Sequence, residues 1–429
     1  MTLRFSLRNL SLGLAAASLL SLAAPDRAAA EAQLLIEAST GKVLHAENAT
    51  YPWYPASVTK LMTAYTTLRA IRDKKVAFNT LLTVSKNAAA QQPTKMGFKV
   101  GTTLTIDNAL KMLMVKSAND MAVAIAEGVG GSLEGFADMM NANARRLGMS
   151  QSNFVNPNGL PAENHVSSAR DLGILARALI REFPEHDSYW HISSIRYGSR
   201  VYRNYNSLID RYPGADGMKT GFICASGYNV VASATRNGRR LIAVILGAYS
   251  GAVRAQKAAA LMERGFNSGG LSWLTPSLGT VDALAPVDAQ PPNLRDEMCG
   301  GHRRKPASED NEEEEPNPDA AVAGGEAGSD GQAFMLSSLK PANGKFVLGP
   351  PVETSPPVVV YTGTPENPDA AAQPVSAAPK KKKGTKTAKI TAEKPATGEK
   401  PAAADKPKTE KTAKPAAKPA KPKVSSVAQ

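Results

Sequence analysis

Only residues 31–270 of this 429-residue chain carry the periodic apolar runs from which a core can be built. Beyond them proline, alanine and charge dominate. Residues 271–379 hold 6 basic and 16 acidic side chains, a net of −10; residues 380–429 hold 15 lysines and 4 acidic groups, a net of +11. Segments so charged and so poor in large apolar residues cannot offset the entropy of ordering by burial. They read as an acidic Pro/Ala-rich low-complexity region followed by a basic Lys/Pro/Ala-rich disordered tail. Lys345–Leu348 and the Pro-flanked Val358–Tyr361 are short enough to dock on something but make no domain. Because the two blocks nearly cancel, the overall charge of +13 says little about partners.

Residues 1–30 read as a signal peptide. Arg4 and Arg8 precede an apolar run, Leu10 to Ala24, and Ala28 to Ala30 offer small residues for cleavage before Glu31. The run is short against the ~20 residues that span a bilayer, which favours cleavage over an uncleaved anchor. The expected location is the periplasm or cell envelope, with the mature chain soluble or peripherally associated. In that setting the lysine-rich tail would meet anionic envelope polymers or lipids. No aromatic residue interleaves its lysines, so base stacking has no support and nucleic acid is not expected. Two cysteines, Cys224 and Cys299, are too few for a scaffold. In an exported chain they can still form one bond, which would pin the segment after residue 270 back onto the domain.

Within residues 31–270 the ends are strand-like and the middle is helical. Gln33–Glu37 and Lys42–His45 flank Ala38–Gly41 as a β-hairpin. Tyr228–Thr235 and Arg240–Leu246 form a second, turned by Asn237-Gly238, a pair suited to the positive φ angles of a type I′ turn. Helical patterns run over Val58–Ile71, Ile106–Glu127, Leu133–Leu147, Ala169–Glu182 and Gly251–Arg264. The expected fold is α/β (α+β): an antiparallel sheet flanked by helices, with a helical subdomain and a ligand cleft between the two parts.

Three short motifs fall in that segment: Ser57-Val58-Thr59-Lys60, Ser117-Ala118-Asn119 and Lys219-Thr220-Gly221. Taken alone, each has a plain structural reading as a cap, a turn or a surface lysine. Together they supply a nucleophile, a base, a second hydroxyl and an anion-binding strand. Ser57 and Lys60 lie one turn apart, within reach. A serine hydroxyl is a weak nucleophile until a base takes its proton, and Lys60 is a base only when neutral. Burial and the positive charge of Lys219 would both favour that form. Ser117 can relay a proton to the leaving amine, and Asn119 can hold a substrate amide. Lys219 and Thr220 can bind a carboxylate, with Arg203 and Arg254 as further candidates because a guanidinium grips that group bidentately. Gly221 would let a substrate backbone approach, and the amides of Phe222 and Ser57 can face an oxyanion.

With these motifs in place, the chain resembles the serine-type D-alanyl-D-alanine carboxypeptidases, the low-molecular-weight penicillin-binding proteins of peptidase family S11, which share a Ser-x-x-Lys, Ser-x-Asn, Lys-Thr-Gly set with class A β-lactamases. The resemblance extends to Ala38–Leu44, Tyr54–Ser57, Asn156–Leu160, Ser167–Asp171 and Asp216–Gly221, and covers Gln33 to Phe266. It implies a β-lactamase/DD-peptidase-like fold and an acyl-enzyme on Ser57. Lys60, Ser117 and Asn119 would surround that serine, Lys219, Thr220 and Arg254 would hold the substrate carboxylate, and no metal or cofactor would be needed. The implied substrate is the D-Ala-D-Ala end of a peptidoglycan stem pentapeptide, and β-lactams would acylate the same serine. Phe222 stands where many relatives carry a polar residue, often His. A β-lactamase is disfavoured because Glu163 has Ser167, not asparagine, four residues on. A D,D-endopeptidase of peptidoglycan crosslinks would use the same machinery. A non-catalytic penicillin-binding wall scaffold would have no need of the serine–lysine pair.

Overall fold

In the computed structural model, which describes residues 31–268, 277–301, 348–350 and 355–368, the two strand-rich ends of the patterned segment meet in one sheet. In chain order the elements are β1 (Ala32–Glu37), β2 (Val43–Glu47), a 3-10 turn (Ala56–Thr59) leading into α1 (Lys60–Arg72), β3 (Leu81–Thr83), α2 (Lys86–Ala90) and β4 (Thr103–Thr105). Then come α3 (Ile106–Val115), α4 (Asn119–Gly130), α5 (Leu133–Leu147), α6 (Ala169–Glu182), α7 (Ser188–His191), β5 (Ser194–Tyr197) and β6 (Arg200–Arg203). The chain continues through β7 (Ala215–Ile223), β8 (Gly227–Arg236), β9 (Arg239–Ala248), α8 (Gly251–Asn267), α9 (Arg295–Cys299) and β10 (Val358–Val359).

The main sheet is five-stranded, in the order β2-β1-β9-β8-β7, with every pair antiparallel. Its β8–β9 hairpin turns where Asn237 and Gly238 both have positive φ, 50° and 75°. Alternation along the strands splits the side chains between two cores. Leu35, Val230, Ala232, Leu241, Ala243 and Ile245 face α8 through Ala255, Ala258, Ala259, Leu261 and Met262. Leu34, Ile36, Val231, Ile242, Val244 and Leu246 belong to the larger core shared with α1, α3, α4 and α6. Burying each such aliphatic side chain favours folding by about 1.5–3 kcal/mol, which makes these two layers the frame on which the cleft is mounted.

Two expectations need correction. The pattern over Ile106–Glu127 is not one helix. α3 stops at Val115 and α4 starts at Asn119, with Ser117 between them at a left-handed φ of 57°. Apolar periodicity alone cannot register such a break, because both helices keep apolar faces toward the same core.

Nor does the packed unit end at residue 270. Val43 and Val281 donate to the carbonyls of Gly279 and Gly41, adding residues 279–281 beside the first hairpin, and Val281 is fully buried. Leu294 donates to Ala225 O, and Cys299 is joined to Cys224 with the Cα atoms 5.6 Å apart. Farther on, β10 runs parallel to β5, Val360 and Thr362 are buried, and Gly363 donates to Thr103 O. These segments use isolated buried positions instead of periodic runs, which is why composition alone hides them. The signal segment 1–30 and the lysine-rich tail 380–429 lie outside the described residues, as do Lys345 to Val347 of the first docking stretch. Among the described residues no helix is long and apolar enough to cross a membrane.

The Cys224–Cys299 bond closes a 75-residue separation. In the chain-entropy picture a loop of this size is worth about 4 kcal/mol. Denaturant unfolding of a Cys224→Ser/Cys299→Ser protein should show a loss of about 2–4 kcal/mol, and thiol titration of the unreduced denatured wild type should find no free thiol. Two titratable thiols without reductant would contradict the pairing.

Candidate active site

The nucleophile turn is fastened to the sheet before it begins. Trp53 donates its indole N–H to Ser226 O, and Asn229 on β8 donates its side-chain amide to the carbonyls of Tyr54 and Pro55 at 2.9 and 3.3 Å. Ala56 then takes a positive φ of 49°, a rare conformation for a residue with a Cβ. Such a turn persists only where its surroundings over-determine it. Ser57 sits in the 3-10 turn and Lys60 opens α1, so their side chains meet across one tight turn. The fully buried Lys60 Nζ donates to Ser57 Oγ, Asn119 Oδ1 and Asn158 O, each at 2.8 Å.

The second wall is built at the α3–α4 break. The left-handed backbone at Ser117 holds its hydroxyl in the interior, where Oγ has no hydrogen-bond partner among the described residues. Asn119 is held from both sides, since its Oδ1 accepts from Lys60 and its Nδ2 donates to Gln92 O at 2.9 Å. The loop carrying Gln92 is in turn clamped by Asp120, whose carboxylate accepts the backbone N–H groups of Met96 and Gly97 at 3.1 and 2.9 Å. Burial raises the Asp120 pKa, against the lowering effect of those N–H donors.

The third wall is β7, an edge strand. Lys219 is buried and donates to Thr220 O at 3.0 Å, while Thr220 Oγ1 is buried with no partner among the described residues. Buried hydroxyls without partners are uncommon in folded proteins, so two of them, on Ser117 and Thr220, need a reason. Gly221 has a reason different from the expected one. A Cβ there would lie 2.7 Å from Ser57 N and 2.9 Å from Val58 N, so it is the protein's own nucleophile turn that comes close. Phe222 is half-buried, with its ring 4.4 Å from that of Tyr228.

The two arginines separate. Arg254 lies in the first turn of α8, is buried, and donates to the carbonyl of Asn229 on β8 at 3.1 Å. Arg203 is exposed at the end of β6, in the three-stranded sheet β10-β5-β6 and not in the sheet that carries Lys219. Glu163 is exposed.

Two further contributors carry no motif that points to the site. The stretch Asn156–Leu160 supplies the Asn158 carbonyl to Lys60 and sets Gly159 against the nucleophile turn. Its Asn-Pro-Asn-Gly signature marks a turn, but nothing in it marks the turn's target. His165, buried in the same loop, accepts from Val155 N at Nδ1 and shares a 2.8 Å bond between Nε2 and Thr59 Oγ1. Since Nδ1 accepts, the ring proton lies on Nε2 and the imidazole is neutral.

Burial lowers the His165 pKa from 6.5 to about 4. Between those two values the unfolded chain binds a proton that the folded chain excludes, so stability is lost as pH falls through that window. The contribution is complete above pH 6.5 and falls by about 3 kcal/mol towards pH 4. Between pH 7 and about 4.5, a His165→Gln protein should therefore lose about 2 kcal/mol less than wild type in urea unfolding. Equal losses would count against a neutral buried imidazole.

A lysine amine on a serine hydroxyl, a second hydroxyl across the cleft and a cationic edge strand form a set suited to acyl transfer. Comparison with known proteins agrees with that chemistry. The D-alanyl-D-alanine carboxypeptidase DacC of Escherichia coli (strain K12) is 35% identical over 244 residues, which cover 55% of this chain and 61% of DacC. DacD of the same organism, also a D-alanyl-D-alanine carboxypeptidase, is 35% identical over 264 residues, 60% of this chain and 68% of DacD. Among solved structures, penicillin binding protein 5 from Haemophilus influenzae superposes with a TM-score of 0.54 at 32% identity, over 57% of this chain and 72% of that one. Residues 20–250, just over half of the sequence, match the family described as Peptidase_S11, D-alanyl-D-alanine carboxypeptidase, and the chain belongs to that family.

Proposed function

We propose that this protein is an exported serine D,D-carboxypeptidase that removes the terminal D-Ala from peptidoglycan stem pentapeptides through an acyl-enzyme on Ser57. The observation that carries the reading is the 2.8 Å bond between Lys60 Nζ and Ser57 Oγ, held by a lysine with no exposed surface. A positioned base of this kind is what makes a serine hydroxyl nucleophilic.

In the acylation step Lys60 is a neutral amine whose two N–H groups stay on Asn119 Oδ1 and Asn158 O, and its lone pair takes the Ser57 hydroxyl proton as Oγ adds to the carbonyl carbon of the penultimate D-Ala. The carbonyl oxygen becomes an oxyanion facing the backbone amides of Ser57 and Phe222. When the tetrahedral species collapses, the C–N bond breaks, and the departing D-Ala nitrogen takes the proton from Lys60 by way of Ser117. Water then adds to the ester carbonyl, Lys60 accepts its proton, and the C–O bond to Ser57 breaks as the serine regains a proton. Throughout, Asn119 and the Asn158 carbonyl hold the Lys60 ammonium or amine in register. Lys219 and the Thr220 hydroxyl would bind the substrate carboxylate, with Arg254 adding positive charge. That role accounts for the lone Thr220 Oγ1, and the relay accounts for Ser117 Oγ.

A β-lactam presents a strained amide to the same serine and would be retained as a covalent adduct. Residues 1–30 would direct export, and the lysine-rich 380–429 would hold the mature protein to anionic polymers or lipids of the envelope. The direct test incubates the full chain with a pentapeptide ending in D-Ala-D-Ala and measures free D-alanine. Absence of release from a folded, penicillin-reactive protein would redirect the reading to crosslink cleavage.

A further inference from the structure

A cavity lies away from Ser57, at the other end of the helix that leads to Ser117. It has a volume of about 470 Å³ and is bordered by Phe78, Asp107, Lys111, His186, Ser188 and Tyr189, with Val358 of β10 closing one side. That volume falls within the range of sites that hold small organic ligands.

The chemistry of the lining is narrow. Tyr189 donates its hydroxyl to Asp107 Oδ1 at 2.6 Å, and Lys111 donates to Asp107 Oδ2 at 2.7 Å. The carboxylate thus neutralises the ammonium, so the cavity has no excess charge with which to draw an anion. What remains is a ring of hydrogen-bonding groups around aromatic faces. An ammonium has N–H groups beyond the one given to Asp107, the carboxylate oxygens have spare lone pairs, and Ser188 adds an exposed hydroxyl. Phe78 packs edge-on to His186 at 4.8 Å and lies nearly parallel to Tyr189 at 6.2 Å. A neutral ligand with an apolar face and a rim of hydroxyl and amide groups fits this set, which describes an N-acetylated sugar.

The cavity also lies at a telling distance from the nucleophile's surroundings. Asp107 is in the first turn of α3 and Ser117 follows its last, ten positions on, a rise of about 15 Å at helical spacing. A second path gives a similar length. Val358, Ile195 and Tyr202 are register partners across β10, β5 and β6, two strand spacings or about 10 Å. At the far end of that row the Lys116 ammonium lies 5.8 Å from the Tyr202 ring, and Lys116 adjoins Ser117. A stem peptide cut before its fifth residue has four residues between the cut and the glycan that bears it, about 14 Å when extended.

We infer that this cavity binds an N-acetylated sugar of the glycan strand to which the stem peptide is attached, so that substrate is gripped at both ends. The inference rests on the carboxypeptidase reading for its substrate but not for its binding site. The test has two measurements on the full chain. Calorimetry with N,N′-diacetylchitobiose as probe should show binding that weakens by about tenfold or more in Lys111→Ala and Phe78→Ala. Ser188→Ala, on the exposed rim, should weaken it too and guards against variants that misfold. D-Alanine release should show a KM for a disaccharide-pentapeptide about tenfold below that for the free pentapeptide, a difference that disappears in Lys111→Ala. Equal KM values for the two substrates with no chitobiose bound would overturn the sugar site and leave the carboxypeptidase reading standing. Lys111-dependent chitobiose binding with no D-alanine released from either substrate would overturn that reading and leave the site.

Discussion

Ser57→Ala is expected to release no D-alanine from a stem pentapeptide and to take up no fluorescent penicillin, while unfolding within about 1 kcal/mol of wild type. The stability half of this expectation follows from how the hydroxyl is held. Ser57 Oγ accepts from Lys60, and when it is removed Lys60 keeps Asn119 Oδ1 and Asn158 O as acceptors. No buried group is therefore orphaned by the change. The activity half follows because Ser57 Oγ, at 2.8 Å from the Lys60 amine, is the atom that would form the acyl ester, and alanine has no hydroxyl to replace it. Lys60→Met is the companion variant, similar in length but without a base. It should retain Ser57 and the turn yet acylate about 10²–10⁴-fold more slowly, the range ascribed to a positioned general base. Penicillin labelling read by gel fluorescence, beside thermal unfolding of the same samples, checks both. Labelling of Ser57→Ala at the wild-type rate would remove Ser57 from the mechanism, whatever the peptide assay gave.

The same residues explain why the sequence was informative to different depths in different places. α5 and α6 span Leu133–Leu147 and Ala169–Glu182, as their periodicity predicts. Both are local amphipathic helices with Ser132 and Ser168 accepting N-cap bonds, so the whole signal lies within one stretch of chain. The Asn237-Gly238 turn is legible for the same reason. What stays hidden is set by distant partners. The α3–α4 break depends on the loop that Asp120 and Asn119 clamp from 23 to 27 residues away. The role of Gly221 depends on a turn more than 160 residues earlier, and Val360 is buried only because β5 and the start of α3 lie beneath it.

Gly159→Ala should be among the most damaging single-methyl changes the catalytic residues can suffer. Gly159 has a φ of +81°, where an L side chain is strained by about 1–2 kcal/mol before any contact is considered. A Cβ there would fall 1.9 Å from Ala56 O and 3.0 Å from Ser57 N. Both are backbone atoms of a turn that already holds Ala56 at φ 49° and is tied to β8 by Asn229, so neither side can yield cheaply. The neighbouring Asn158 carbonyl, one of the three acceptors of Lys60, must move with Gly159. The expected result is a loss of about 4 kcal/mol or more of stability. Acylation of the protein that remains folded should fall by about 10²-fold or more, because a displacement near 1 Å is costly to an aligned nucleophile. The two effects separate if labelling is measured well below the melting temperature. Gly148→Ala serves as the control, since Gly148 has a similar φ of +75° but a Cβ there would meet nothing within 4 Å. It should show the conformational cost alone, with acylation close to wild type. If Gly159→Ala behaved like Gly148→Ala in both assays, the loop would not be what holds the nucleophile turn in place.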